Sequence, residues 1–308
     1  MIFAFIPVIL WALGSICTSR SAHLVGAARA NSWRLALAAA ALGVGVLCTR
    51  GFPRHAGVWG WLILSGAVGL GLGDLCMMLG YRRVGPRIIV LVLLCLAVPV
   101  AGVSEWLWLG TELTWEQIAL SAGILAGVGL AIAPGARIPA RNRREVVTGV
   151  IFGVLAAVGQ GLGTTISRVA YRCAEANQVP MGGMTAAWQR MIGGLLCTVA
   201  AAALFRMSPG EPPMERAADM LAPGGHRAKP RQVWFWITAS AFLGPIIGLS
   251  VYQWVLVTQP GALVQAVMAV TPVAVIPFAW LIDGDRPDWH GVVGGLLACA
   301  CAVALMLV

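Results

Sequence analysis

Two stretches of this chain follow one plan, 173 positions apart. Residues 99–130 and 272–303 each place a proline in an apolar run, Pro99 and Pro272. Thirteen residues later each has an acid in a short break, Glu112 and Asp285. Each then closes with an apolar segment rich in Gly and Ala. A fold for this chain must hold two related halves, so what is read in one half should be sought in the other.

The halves have to be solvated mainly by lipid. The chain is 59% hydrophobic and only 11% charged, with mean hydropathy +0.84, against about 25% charged for an average soluble protein. That little charge cannot cover the wet surface of a 308-residue globule. A spanning helix needs about 20 mostly apolar residues. Ten such segments can be read: 2–19, 32–49, 58–81, 87–110, 115–133, 146–168, 184–205, 233–257, 261–282 and 288–307. The expected fold class is an all-α membrane protein of ten helices in two five-helix repeats, residues 1–135 and 145–308. Five is odd, so the second repeat enters from the opposite side and the repeats are inverted across the membrane.

The breaks carry turn chemistry: Arg50-Gly51-Phe52-Pro53, Gly85-Pro86, Pro134-Gly135, Gln259-Pro260-Gly261 and Asp283-Gly284-Asp285. Thr114 to Gln117 spells a capping box opening segment five. Pro287 suits the first turn of segment ten. The one long loop, 206–232, is polar and receives no chemistry. The N-terminus lacks a basic region and a cleavage site, so segment one reads as a retained helix.

Net charge is +9, almost all of the cations being arginine. A basic balance can signal nucleic acid. Here the arginines fall between apolar segments and not in one patch, so lipid is the expected partner and nucleic acid is not. Most Lys and Arg flank odd-numbered loops, which by the positive-inside rule places those loops in the cytoplasm and both termini outside. Four arginines (20, 34, 168 and 190) are candidates to face the interior and then carry no vote.

The eight cysteines and four histidines show no CxxC and no metal-ligand spacing. Neither a cofactor nor a metal is expected, and the cysteines read as small core residues. Tryptophans cluster near segment ends as an interfacial belt, with Trp254 deeper and a weaker site candidate. Glycines four apart, Gly123 with Gly127 and Gly291 with Gly295, read as tight packing inside one subunit, a homodimer through these segments being the sharper alternative.

Ionisable groups in hydrocarbon are costly and are functional candidates by default. Asp74 lies about seven residues inside the end of segment three, roughly 10 Å deep at 1.5 Å per residue. Arg20 and Arg34 sit at segment ends on its side of the membrane. Asp74 is expected to pair with one of them, as a gate, a solute site or a structural bridge. The opposite side carries a mirrored set: Glu105, Arg168 and Arg190, with Tyr252, Gln253 and Gln265. Arg190 resembles Arg34 by position, whereas Arg168 reads as snorkelling to headgroups. Gln160, Gln253 and Gln265 are placed to hydrogen-bond a polar solute in an otherwise apolar cavity. Glu112 and Asp285 sit in loops, where helix capping is the expected role.

The pattern resembles the drug/metabolite transporter superfamily, specifically ten-helix EamA-type carriers. The resemblance is carried by Trp11-Ala12-Leu13-Gly14-Ser15, Arg34, Gly73-Asp74, Pro99 and Leu109-Gly110-Thr111-Glu112-Leu113-Thr114. The second half adds Ala269-Val270-Thr271-Pro272 and Asp283-Gly284-Asp285-Arg286, with Asp285 where a Glu is usual. It covers essentially the whole chain. It implies a central cavity between two repeats and transport of small organic solutes. It also implies both termini inside, the reverse of the charge count, and orientation stays open between the two.

Three functions compete. A secondary carrier of small organic metabolites in a cytoplasmic membrane fits the two halves around one site. A membrane enzyme needs a nucleophile–base pair or a metal cluster, and Asp74 and Glu105 read as lying near opposite faces. A scaffold or sensor would use loop 206–232 as its partner surface and would not need two repeats.

Overall fold

The computed structural model describes residues 5–49, 55–110, 114–131, 142–206, 230–259, 261–283 and 289–304. Glu112, Asp285, Pro287 and most of the 206–232 loop lie outside the described residues. Every regular element among the described residues is helical. In order these are α1 (Phe5–Val25), α2 (Ala27–Cys48), α3 (Ala56–Gly66), a π-helical turn π1 (Ala67–Gly73), α4 (Asp74–Leu109), α5 (Trp115–Ala131), α6 (Arg143–Ala176) and α7 (Gly183–Arg206). There follow α8 (Pro230–Ala241), a second π-helical turn π2 (Phe242–Gly248), α9 (Leu249–Thr258), α10 (Gly261–Met268), α11 (Thr271–Asp283) and α12 (Trp289–Ala304). Six helical runs among the described residues have the length and composition to cross a membrane, and three apolar helices are shorter.

Among the described residues each apolar segment read from the sequence is mainly helical, but the boundaries shift. The Gly85-Pro86 break does not end the helix. Gly85 alone leaves helical geometry, at φ 80 and ψ 166, and the chain turns there within α4. Only glycine takes that φ without strain, and Pro86 pushes its predecessor out of the helical region. Segment nine, by contrast, is interrupted at Ala269–Val270 between α10 and α11. Pro272 then falls in the first turn of α11, where its missing N–H is not needed. Segment six runs on to Ala176. Its start is capped by the Asn142 side chain, which accepts from the Glu145 N–H at 2.9 Å. The box at α5 is made in both directions: the Gln117 N–H donates to Thr114 Oγ1 at 3.3 Å, and the Thr114 N–H to Gln117 Oε1 at 3.2 Å.

The two π-helical turns occupy matching places. One precedes α4 and the other precedes α9, each following a helix that packs on the opposite half. A π turn inserts one extra residue and leaves backbone groups to be satisfied elsewhere. In π1 the Leu70 carbonyl is taken by Asn31 Nδ2 of α2 at 2.9 Å. In π2 Pro245 removes a donor from the ladder.

Lipid is as apolar as a leucine, so helices meet through close van der Waals fit and small residues. A Cβ at Gly66 would lie 2.0 Å from the Arg190 carbonyl oxygen, and one at Gly193 would lie 2.0 Å from that of Ile63. These two glycines bring α3 and α7 into backbone contact. Gly73 and Gly159 do the same for π1 and α6. Gly123 and Gly127 of α5 face Cys301, Ala298 and Gly294 of α12 in the same chain. Neighbours are reciprocal between halves: α2 packs on α7 and α5 on α12, α3 packs on α6 and α7, and α8 packs on α1 and α2. The indole belt is turned outward, with Trp61, Trp106, Trp108, Trp234, Trp280 and Trp289 all exposed.

Candidate functional site

A small cavity opens between the halves. Its wall combines Trp11, Ser15 and Thr18 of α1, Arg34 of α2, Leu70 of π1, and Asp74, Met77, Tyr81, Leu93 and Leu94 of α4. The second half contributes Gln160 of α6, Gly244 and Pro245 of π2, Leu249 of α9 and Thr271 of α11. Both π-helical turns and the α10–α11 interruption therefore border it. Irregular backbone at membrane depth is tolerated where it lines such a space.

Arg34 and Asp74 form a hydrogen-bonded salt bridge at the cavity edge. Arg34 Nη2 also donates to Asn31 Oδ1 at 3.0 Å, and Asn31 Nδ2 reaches Thr198 Oγ1 at 2.9 Å. The pair is thus held by a polar strand running from α4 through α2 to α7. Among the described residues that line the cavity, two buried polar atoms have no hydrogen-bond partner, Arg34 Nε and Thr271 Oγ1. Thr271 directly follows the interruption at Ala269–Val270.

Arg20, the other expected partner of Asp74, is elsewhere. Its Nη2 donates to the Ile282 carbonyl at 2.8 Å and its guanidinium lies 4.7 Å from the Trp236 ring centroid. A long side chain near a helix end reaches for the end of a neighbouring helix and an interfacial ring. The set expected at the opposite mouth is only partly together. Tyr252 and Thr164 hydroxyls are 2.7 Å apart, and Gln265 Nε2 donates to the same Thr164 oxygen at 2.8 Å. Tyr171 donates to Gln253 Oε1. Arg168 Nη1 donates to the Leu256 carbonyl at 3.2 Å. Glu105 is buried with its Oε1 against Gly261 at the start of α10.

Arg190 does not join Glu105. It is fully buried, its electrostatic neighbours are Tyr252, Tyr171 and Asp74, and none of its three guanidinium nitrogens has a hydrogen-bond partner. Trp254 points outward, 53% exposed, one helical step out of phase with the buried Tyr252 and Gln253. Among the described residues no group of three His, Cys, Asp or Glu comes together.

A family model matches residues 1–133 and 147–307, one copy on each half, and its description is EamA-like transporter family. The chain belongs to the EamA-like transporter family. This EamA-like chain is therefore a multi-pass membrane protein of a transporter family, with a cavity built from both of its matched copies. Among solved structures it is similar to one titled only "Crystal structure of protein", at 19% identity and TM-score 0.62, over 99% of this chain and 96% of that one. At that identity the likeness is one of fold. Comparison with curated proteins gives no match.

Several wall residues had a signal in the sequence that was read for another purpose. Trp11 and Ser15 belonged to the family pattern. Tyr81 lies seven residues after Asp74, two turns along the same helix face. Thr271 stands before Pro272, in the Ala269-Val270-Thr271-Pro272 stretch that carries the family pattern in the second half. Asn31 stood three residues before Arg34, on its face of α2, and had no reading.

Proposed function

We propose that this protein is a secondary carrier, not an enzyme, that moves small organic metabolites across a cytoplasmic membrane by alternating access. In this reading ten spans form two inverted five-helix repeats. Reciprocal packing of α2 with α7 and of α5 with α12 supports that reading, as do the matched places of π1 and π2. The observation that carries the function is the cavity wall. It is drawn from both halves, and it includes Arg34 and Thr271, one from each half, whose enclosed Nε and Oγ1 have no protein partner. Buried polar atoms are nearly always satisfied. A solute that bonds to both would connect the halves and bias their relative position, which is what a carrier requires.

The test is uptake by liposomes containing the purified protein, from a mixed metabolite extract, read by mass spectrometry. The reading expects saturable accumulation of one chemical class, reduced by Asp74→Asn and by Thr271→Val. Flux that rises without saturation would make the protein a channel. No accumulation of any class by well-folded protein would turn the reading toward a scaffold.

A further inference from the structure

Three charged side chains gather beside the cavity, and one acid has to serve two arginines. Asp74 is bound to Arg34. Arg190 lies on the far side of π1, wholly buried, with Nε, Nη1 and Nη2 all unpartnered. Its room is made by two missing side chains: a Cβ at Gly69 or at Gly163 would stand 3.0 or 3.3 Å from Nη2. Asp74 is within electrostatic reach of both arginines, Arg34 acting on it more strongly than Arg190. Glu105, another buried acid, sits at Gly261 and is not among Arg190's electrostatic neighbours. Among the described residues the cluster therefore carries one positive charge in excess, in a place where an uncompensated charge is costly.

We infer that the solute is a small organic monoanion with an apolar body and a carboxylate, and that its binding to Arg34 hands Asp74 over to Arg190. This rests on the carrier reading. Arg34 borders the cavity, and its enclosed, unpartnered Nε stands beside Nη2, which Asp74 now occupies; these are the two adjacent donors that a carboxylate takes together once Asp74 gives way. Arg190 does not border the cavity, so the solute meets Arg34 and not Arg190. Displaced from Arg34, Asp74 has one other cation near it. Asp74 directly follows π1, whose Gly69 abuts the Arg190 guanidinium. A change in that π turn moves the acid relative to the arginine without unfolding a helix. With one carboxylate bound, each of the three charges has an opposite partner. A neutral or cationic solute leaves Arg190 unpaired. A phosphate monoester, at about −1.5 to −2 near neutral pH, overshoots. Trp11, Leu70, Leu93 and Leu94 give the wall a large apolar part, which sets the body of the solute.

The probes are the straight-chain monocarboxylates from acetate to octanoate, their amides, the matching alkylammonium ions and the alkyl phosphates. The readout is the rise in melting temperature of detergent-purified wild type, R190Q and R190K. Stabilisation by carboxylates of one length range is expected, and not by the other three series. Affinity should fall roughly tenfold to a hundredfold in R190Q, the effect of losing one charge-assisted interaction, and return in R190K. Ligand-free R190Q should melt no lower than wild type, which shows that it folds. Equal response to acids and amides, preference for the phosphates, unchanged carboxylate affinity in R190Q, or no response to any carboxylate would each overturn the inference. Counterflow in liposomes with the same probes separates the two readings. Movement of neutral or cationic probes alone keeps the carrier and removes the anion. Carboxylate binding without movement of any probe keeps the anion site and removes the carrier.

Discussion

Arg34 and Arg190 occupy corresponding places in the two halves, on helices that pack against each other, yet their surroundings differ. After π1 the first half has Asp74, and after π2 the second half has Leu249. Arg34 is paired and borders the cavity. Arg190 is unpaired and sealed among tyrosines, glycines and the backbone of π1. Both halves have the backbone device, a π turn with an arginine near it, while only the first half has a counter-charge directly after the turn. Backbone geometry constrains a whole helix crossing, whereas one side chain in a cavity is free to change with what the cavity holds.

Opposite signs should result when each arginine is removed. Arg34→Met removes the cation to which the part-buried Asp74 is bound; Asp74 then turns to Arg190, so stability should fall, but by less than the about 3–5 kcal/mol of a buried pair broken from one side. Arg190→Met replaces an uncompensated charge with an apolar chain of similar length and should be neutral or stabilising. Melting of the two variants in one detergent decides it. Two losses of equal size would mean that Arg190 has a strong partner after all, and the asymmetry would be gone.

Next in size is the glycine crossing of α3 and α7. Gly193→Ala puts a methyl 2.0 Å from the Ile63 carbonyl oxygen, and backbone cannot rotate away as a side chain does. About 1–3 kcal/mol or more should be lost. In the other half α8 packs on α2 and has the fully buried Ala241 directly before π2, where α3 has Gly66 before π1, so a methyl group is already accommodated there. Ala241→Gly should cost no more than about 1 kcal/mol, chiefly through helix propensity. Similar losses at the two crossings would show that they are equally tight.

These comparisons mark what the sequence could tell. Asp74 stood out because it is an acid inside an apolar run, and Arg34 because it matched Arg190 along the chain. The π turns were not legible, since Gly69, Gly71 and Gly73 look the same whether they loosen a helix or let another one approach. Nor was the fate of Arg20, because a helix end does not reveal whose carbonyl it will meet, here that of Ile282. Arg190 was read toward Glu105 because both lie near the same side in a linear count. The close approach at Gly66 and Gly193 carries α7 across π1 instead, and that crossing is tertiary information.

A smaller effect concerns the hydroxyl cluster. Thr164 accepts from Gln265, shares a hydrogen bond with Tyr252, and donates to the Gln160 carbonyl at 2.9 Å. Thr164→Val should cost about 1–3 kcal/mol by leaving Gln265 and Tyr252 without their partner in a buried place. Tyr252→Phe removes only one end and should cost about 1 kcal/mol. The order of the two melting temperatures tests whether Thr164 is the hub.

The smallest expected effect compares the two prolines that first revealed the duplication. Pro99 sits within α4, which continues through it, whereas the chain before Pro272 is interrupted at Ala269–Val270. The interruption frees the Ala269 carbonyl, and the Cys299 thiol of α12 donates to it at 2.9 Å, with the Cys95 thiol farther off at 3.9 Å. A thiol is a weak donor. Cys299→Ala should therefore lower stability by no more than about 1 kcal/mol, and Cys299→Ser, a stronger donor of similar size, should restore it. Cys299 pins the interrupted backbone beside Thr271, so Cys299→Ala should weaken solute binding along with stability if the interruption positions the Thr271 hydroxyl. If binding is untouched while stability falls, the interruption is only packing, and the two proline segments differ in shape without differing in task.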